Sequence, residues 1–287
     1  MPTARRKVTL RAQWLGKMLR ELRESNGYTL KEAAEYLQRD LSALSRFESG
    51  VHPIRRGDVL ALMDLYGVED RPQRDMLISL TGELTRTGWW EKYTKDDVWG
   101  STIDLAWLES RAHSLRMFAT TTVPGLLQTE QYARSLIQVA NRHSTQREIE
   151  RWVSLRLDRQ RVLDREGEPA HLSAVVDESV LRRLVGGREI MRDQIRHLIL
   201  MSQRANVNIQ VLPFNIGAHS SPDGPFALVK MDDPFPEVAH IESPAGSIYL
   251  ETEAVDRFVD TYDWLQEHSL GIEDTAALLA DLEKELR

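Results

Sequence analysis

Over the first eighty residues the apolar positions recur at helical spacing. Leu15, Met18, Leu19 and Leu22 fall at i, i+3, i+4 and i+7 and predict a helix over about 12–26. Gly27 closes it, because glycine tolerates the positive φ common just past a helix end. Thr29 and Glu32 then form a T-x-x-E capping box for a short second helix with Ala33, Ala34 and Leu37 on a narrow buried face. Asp40 is placed to cap a third helix, with Leu41, Leu44 and Phe47 inward and Ser42, Ala43, Ser45, Arg46 and Ser49 outward. Glu48 is a carboxylate on an otherwise basic and polar helix, and Arg23 of the first helix is its expected partner. A fourth helix over about 57–66 places Val59, Leu60, Leu62, Met63 and Tyr66 in the core. A fifth starts near Asp70, with Gln73 completing the capping signal, and runs through Met76, Leu77 and Leu80.

The pattern changes after residue 80. The segment 82–100 is dense in aromatics and short of aliphatic periodicity, and it holds three of the chain's seven tryptophans. Two readings stay open for Trp89, Trp90 and Tyr93: glue between domains, or the lining of a recess for a ligand or partner. Helices are expected over 103–118, 129–141 and 145–165, the last started by a Thr145–Glu148 capping box. Its Arg147, Arg151, Arg156, Arg159, Arg161 and Arg165 alternate with acidic residues, the pattern of an exposed, salt-bridged face. Beyond Gly167 and Pro169, β-rich runs cover 172–177, 207–212, 226–231, 238–242 and 247–251, with a helix over 187–204 between the first two. Two helices close the chain. The predicted fold is α+β: a five-helix domain over 1–80, an aromatic-rich linker over 81–100, and a domain over 101–287 of helices packed with a mixed five-stranded sheet.

Charge sharpens this division. The net charge over 287 residues is −7, but residues 1–56 hold 12 Lys and Arg against 6 Asp and Glu, and the remainder holds 25 against 38. A basic head on an acidic body suits a protein that presents one end to phosphate. Arg5, Arg6, Lys7 and Arg11 read as a disordered tail or as an arm along DNA. Arg55 and Arg56 read as a backbone clamp beside a helix N-terminus or as a solvated loop.

Candidate chemistry is sparse. There is no cysteine, and the eight histidines are scattered without metal-ligand spacing. No phosphate-binding glycine loop or nucleophile elbow occurs. No enzyme activity, cofactor or metal is expected. The loop 217–225, with His219 and Asp223, reads better as a binding loop opposite 123–129, so Gln128 and His219 join Trp89, Trp90 and Tyr93 as candidate ligand- or partner-binding residues. With no signal-peptide core and no run of membrane-spanning length, the expected location is the cytoplasm, nucleoid-associated when on DNA.

The stretch LGKMLRELRESNGYTLKEAAEYL…LSALSRFESG resembles the five-helix XRE helix-turn-helix of the lambda and 434 repressor type. The family's S-R-I-E-x-G ending of the recognition helix appears as Ser45-Arg46-Phe47-Glu48-Ser49-Gly50, and its buried ion pair falls on Arg23 and Glu48. The resemblance implies a homodimer on a double-stranded operator, contacted through Lys31, Arg39, Ser42, Ala43, Ser45, Arg46, Arg55 and Arg56. Two positions depart from the family: Leu30 replaces a phosphate-touching glutamine, and Gln38-Arg39 replaces the Gly-Val of the turn. The remainder resembles the body of actinobacterial WhiJ-like regulators through GWWEKY, VPGLLQTEQYARSL, RQRVL, VDESVLRRLVGG and NIQVLPFNIGAH, followed by DGPFALV and IYLE. That resemblance implies a transcriptional regulator whose body recognises a small protein encoded nearby, in an arrangement likened to toxin–antitoxin pairs. A body that senses a small molecule is the alternative.

Overall fold

The computed structural model describes residues 9–85, 88–93, 100–233, 235–243 and 246–287. Its first helix starts earlier than the apolar stripe indicates. The Thr9 hydroxyl accepts a hydrogen bond from Ala12 N at 3.3 Å, and α1 runs Leu10–Ser25. Arg11 therefore belongs to a helix and not to an arm. It is 4% exposed and donates to the Glu83 carbonyl at 2.9 Å. Arg5, Arg6 and Lys7 lie outside the described residues.

The chain divides into two units, Met1–Lys92 with Asp233–Phe235, and Tyr93–Asp232 with Pro236–Arg287. The first contains the five predicted helices, with α2 at Leu30–Tyr36, α3 at Leu41–Glu48, α4 at Arg56–Leu65 and α5 at Arg71–Thr85. Leu15, Leu19, Ala33, Leu44, Val59, Leu62, Met63, Leu77 and Leu80 form its core. The Thr29–Glu32 capping box is present in both directions, and Asp40 caps α3 through Ala43 N at 2.6 Å. Gly16 lets the α1 and α3 backbones touch: a Cβ there would stand 2.5 Å from the Glu48 carbonyl oxygen.

Leu41 does not point inward. It is 50% exposed, whereas Leu44 is fully buried. Leu41 occupies the first turn of an eight-residue helix, where a neighbour on that side is missing, and sequence periodicity does not show where a packing partner ends. Gln38, in the turn before α3, has φ of +53°. A left-handed conformation costs a side-chain-bearing residue about 1–2 kcal/mol, while glycine enters it freely at the cost of a more flexible unfolded chain. Gln38→Gly is accordingly expected to stabilise the first unit by about 0.5–1 kcal/mol in chemical denaturation.

The second unit is built on a sheet of six strands, not five. The additional strand is β1, Ala112–Ala119, preceded by α6 at Gly100–Arg111. The helix expected over 103–118 therefore ends at Arg111, and AHSLRMFA, which shows no clear alternation, is a strand. The missing alternation has a structural cause. β1 is central, parallel to β2 (His171–Asp177) on one side and antiparallel to β4 (Phe226–Met231) on the other, so residues on both faces are buried. With β3 at Val207–Leu212, β5 at Val238–Ser243 and β6 at Gly246–Glu251, the order is β3-β2-β1-β4-β5-β6. The β3-β2-β1 half is parallel and the β4-β5-β6 part antiparallel, which is the predicted mixed character.

Helices α7 (Glu130–Ala140) and α8 (Gln146–Gln160) connect β1 to β2, and α9 (Glu178–Arg182) and α10 (Arg188–Met201) connect β2 to β3. The last two helices are α11, Glu253–Glu267, and α12, Ile272–Glu285. α11 covers one face of the sheet, where Val255, Tyr262 and Leu265 pack on Phe118, Val175, Leu212, Phe226 and Leu228. Residues alternating with that cluster, such as Met117 and His240, face the other side, where α6 lies on β1, β4 and β6 and also meets α8. α8 is not the uniformly exposed arginine face that its charge pattern indicates. Arg159 is 7% exposed and makes a bidentate pair with buried Glu109 of α6, at 2.6 and 2.8 Å. Among the described residues no helix is long and apolar enough to cross a membrane, and no three metal-ligating side chains cluster.

Candidate nucleic-acid interface

The second and third helices and their turn are held by polar contacts that fix the outward face of α3. The Arg23 guanidinium makes a fork with Glu48, Nε to Oε1 at 2.7 Å and Nη2 to Oε2 at 3.0 Å, and its Nη1 donates to the Tyr28 carbonyl at 3.0 Å. The hydrogen bonds that it donates to Glu48 raise the Arg23 pKa above its ordinary value, against the opposing effect of burial. This ties the end of α3 to α1, as expected from sequence.

On the outward side Asp40 accepts from Ser42 Oγ, and Ser42 Oγ in turn accepts from Arg46 Nη1 at 3.0 Å. The hydrogen bonds from Ser42, then Ala43 N, hold the Asp40 carboxyl below the usual carboxylate range. Arg46 is therefore ordered along the helix while its side chain stays 42% exposed. Ser42 and Ser45 are exposed and Ala43 half-buried. Exposed Leu41 extends the same surface with an apolar group, a contribution that sequence reasoning assigned to the core.

The basic candidates divide into two kinds. Arg46, Arg55 and Arg56 line one recess of about 670 Å³ together with Ala43, Phe47 and His52. Among the described residues Arg55 and Arg56 have no ion pair, and the amides that start α4 have no side-chain cap. Arg39 is instead engaged with Asp58 of α4 at 3.2 Å, bracing the turn whose usual glycine is Gln38. Lys31 is an exposed residue 3.8 Å from Glu35, one turn along the same helix. No sequence signal foretold the Arg39–Asp58 pair, because its partners are 19 positions apart, one in the turn before α3 and the other on α4.

The candidates for ligand or partner binding are divided between the two units. Trp89 and Trp90 meet edge to face in the first unit, with the Arg11 guanidinium over Trp90. Tyr93 is buried in the second unit, where its hydroxyl donates to Asp158 at 2.7 Å. His219 stands edge-on to Phe118 and accepts from Ser221 N. Gln128 lines a cavity of the second unit that holds about 230 Å³ and includes Val123, Pro124, Gly125 and Pro225. Residues 86, 87 and 94–99 of the aromatic segment lie outside the described residues.

Comparison with known families fits this division. Residues 14–77 match the family described as Helix-turn-helix domain. Residues 102–281, more than half of the chain, match the family described as Domain of unknown function (DUF5753). The chain belongs to the DUF5753 family. The DUF5753 match spans all six strands, from the start of α6 to within α12. No curated protein and no solved structure gave a match.

Proposed function

We propose that the protein is a sequence-specific DNA-binding transcriptional regulator without catalytic activity, working in the cytoplasm as a homodimer. The helix-turn-helix match implies DNA binding, and one observation carries the sequence-specific reading: a short helix, braced by the Arg23–Glu48 fork, that presents Ser42, Ser45 and ordered Arg46 beside Arg55 and Arg56. Small polar side chains let a helix enter the major groove, and an arginine reads guanine O6 and N7 through two hydrogen bonds. If a dimer neutralises roughly eight phosphates, log K should fall against log salt with a slope near about −7. Fluorescence anisotropy on a labelled operator across a salt series checks this. A slope close to zero rejects the phosphate contacts.

For the DUF5753 domain, the reading supported by resemblance to WhiJ-like regulators is recognition of a small protein encoded nearby, in a toxin–antitoxin-like pairing. Stoichiometric co-purification of such a protein supports it, and full repression by the protein alone opposes it. A second reading, response to a small molecule, is favoured by the cavity that Gln128 lines.

A further inference from the structure

The loop from Thr120 to Thr129 forms one wall of the cavity on the α6 face of the sheet, and side chains from three helices pin it. Gln194 of α10 accepts from Thr129 N and donates to the Leu127 carbonyl, both at 2.7 Å. Gln160 of α8 donates to the Gly125 and Gln128 carbonyls at 3.0 and 2.7 Å. The Tyr132 hydroxyl of α7 accepts from Val123 N at 3.2 Å. These ties leave the wall preformed, as ligand sites usually are.

Into this cavity α8 places two guanidinium groups with different surroundings. Arg159 is neutralised by its fork with Glu109. Arg156 is not. Its Nη1 donates to Gln128 Oε1 at 2.8 Å, and among the described residues no carboxylate comes within 4.0 Å of it. Glu242, an exposed residue on the lining, offsets part of this charge without forming a pair. Burial, followed by the charge of Arg159, pushes the Arg156 pKa down to about 10. Arg156 is half-buried, and even a partly buried cation without a counter-ion is costly. The Nε and Nη2 edge of Arg156 is left without a protein partner, and that edge is the one that pairs with both oxygens of a carboxylate. His240, 5% exposed on the same lining, has an Nε2 atom without a hydrogen-bond partner. Apolar groups of Leu105, Met117 and Ala227 complete the walls.

We propose that this cavity binds a small organic acid, its carboxylate forked on Arg156 and its apolar body against Met117 and Ala227. The cavity's 230 Å³ equals the liquid volume of roughly eight waters, which admits an acid of the size of benzoate. This rests on the small-molecule reading above and is independent of operator binding, so its test contains no DNA.

The test is thermal denaturation and calorimetric titration of the full chain with acetate, benzoate and 2-naphthoate, with benzamide as the uncharged counterpart of benzoate and sodium chloride matching ionic strength. At least one acid is expected to raise the melting temperature and to bind, benzamide is not, and Arg156→Met is expected to weaken the acid by about tenfold to a hundredfold. Because Arg156 has no buried acidic partner to orphan, the Met variant is expected to fold. The benzoate–benzamide comparison needs no variant. Absence of binding by all three acids, equal binding of benzamide and benzoate, or unchanged affinity in Arg156→Met overturns the proposal. Failure here leaves the small-protein reading and the DNA-binding reading standing.

Discussion

Arg46→Ala is expected to weaken operator binding by about 1–3 kcal/mol in each half-site, roughly 5- to 150-fold, and to weaken random DNA far less. The residue is one of three arginines on a single recess, but it alone lies on α3. Its Nη1 is held by Ser42, so the entropy of ordering a long side chain is partly lost before DNA arrives. That order is what separates a base-reading arginine from a cation following phosphates. Competition anisotropy with operator and scrambled duplexes at one salt concentration measures the difference. An equal loss on both duplexes would assign Arg46 to the backbone. Arg55→Ala and Arg56→Ala, by contrast, should weaken both duplexes alike and reduce the salt slope by about one each per half-site.

The second large effect concerns the brace behind that helix. Glu48→Ala takes the buried carboxylate from Arg23, a side chain only 9% exposed, and leaves it the half-exposed Glu24 at 3.1 Å. Breaking a buried pair from one side costs about 3–5 kcal/mol. A small domain has a total margin of about 5–15 kcal/mol, so the first unit should melt far below the wild type or not fold at all. Replacing both partners by apolar residues, Arg23→Met with Glu48→Leu, should recover much of that loss, since the desolvation cost of both charges disappears. Urea denaturation of the single and double variants tests the pair. A loss under about 1 kcal/mol for Glu48→Ala would mean that the fork behaves as an exposed bridge does.

The first unit was largely legible in the sequence because its signals are local. The Thr29–Glu32 box, the Asp40 cap and the stripe of Leu15, Leu19 and Leu22 each act within one or two helical turns, and all are present. The Arg23–Glu48 pair spans 25 positions; a lone carboxylate on a basic and polar helix pointed to it, and the family resemblance pointed to the same pair. Where packing decides, pattern misled. Leu41 looks apolar and is exposed, because burial depends on a neighbouring helix that does not reach it. The central strand β1 has no alternation because both of its faces are covered. Arg156 and Arg159 share a charge-alternating helix with Arg147, yet they face the interior, one paired with Glu109 and the other bonded to an amide. Mixed charge at i,i+4 spacing describes what neighbours along the helix can do; it says nothing of the helix packed beneath.

The most direct test of the central claim, that α3 reads a DNA sequence, is a genome-wide footprint of the full protein. The account predicts protection of a small set of sites, each with two half-sites about 34 Å apart, one helical turn, and loss of that protection in Arg46→Ala. Uniform protection without a shared motif, or the same footprint from the Arg46→Ala protein, would contradict it.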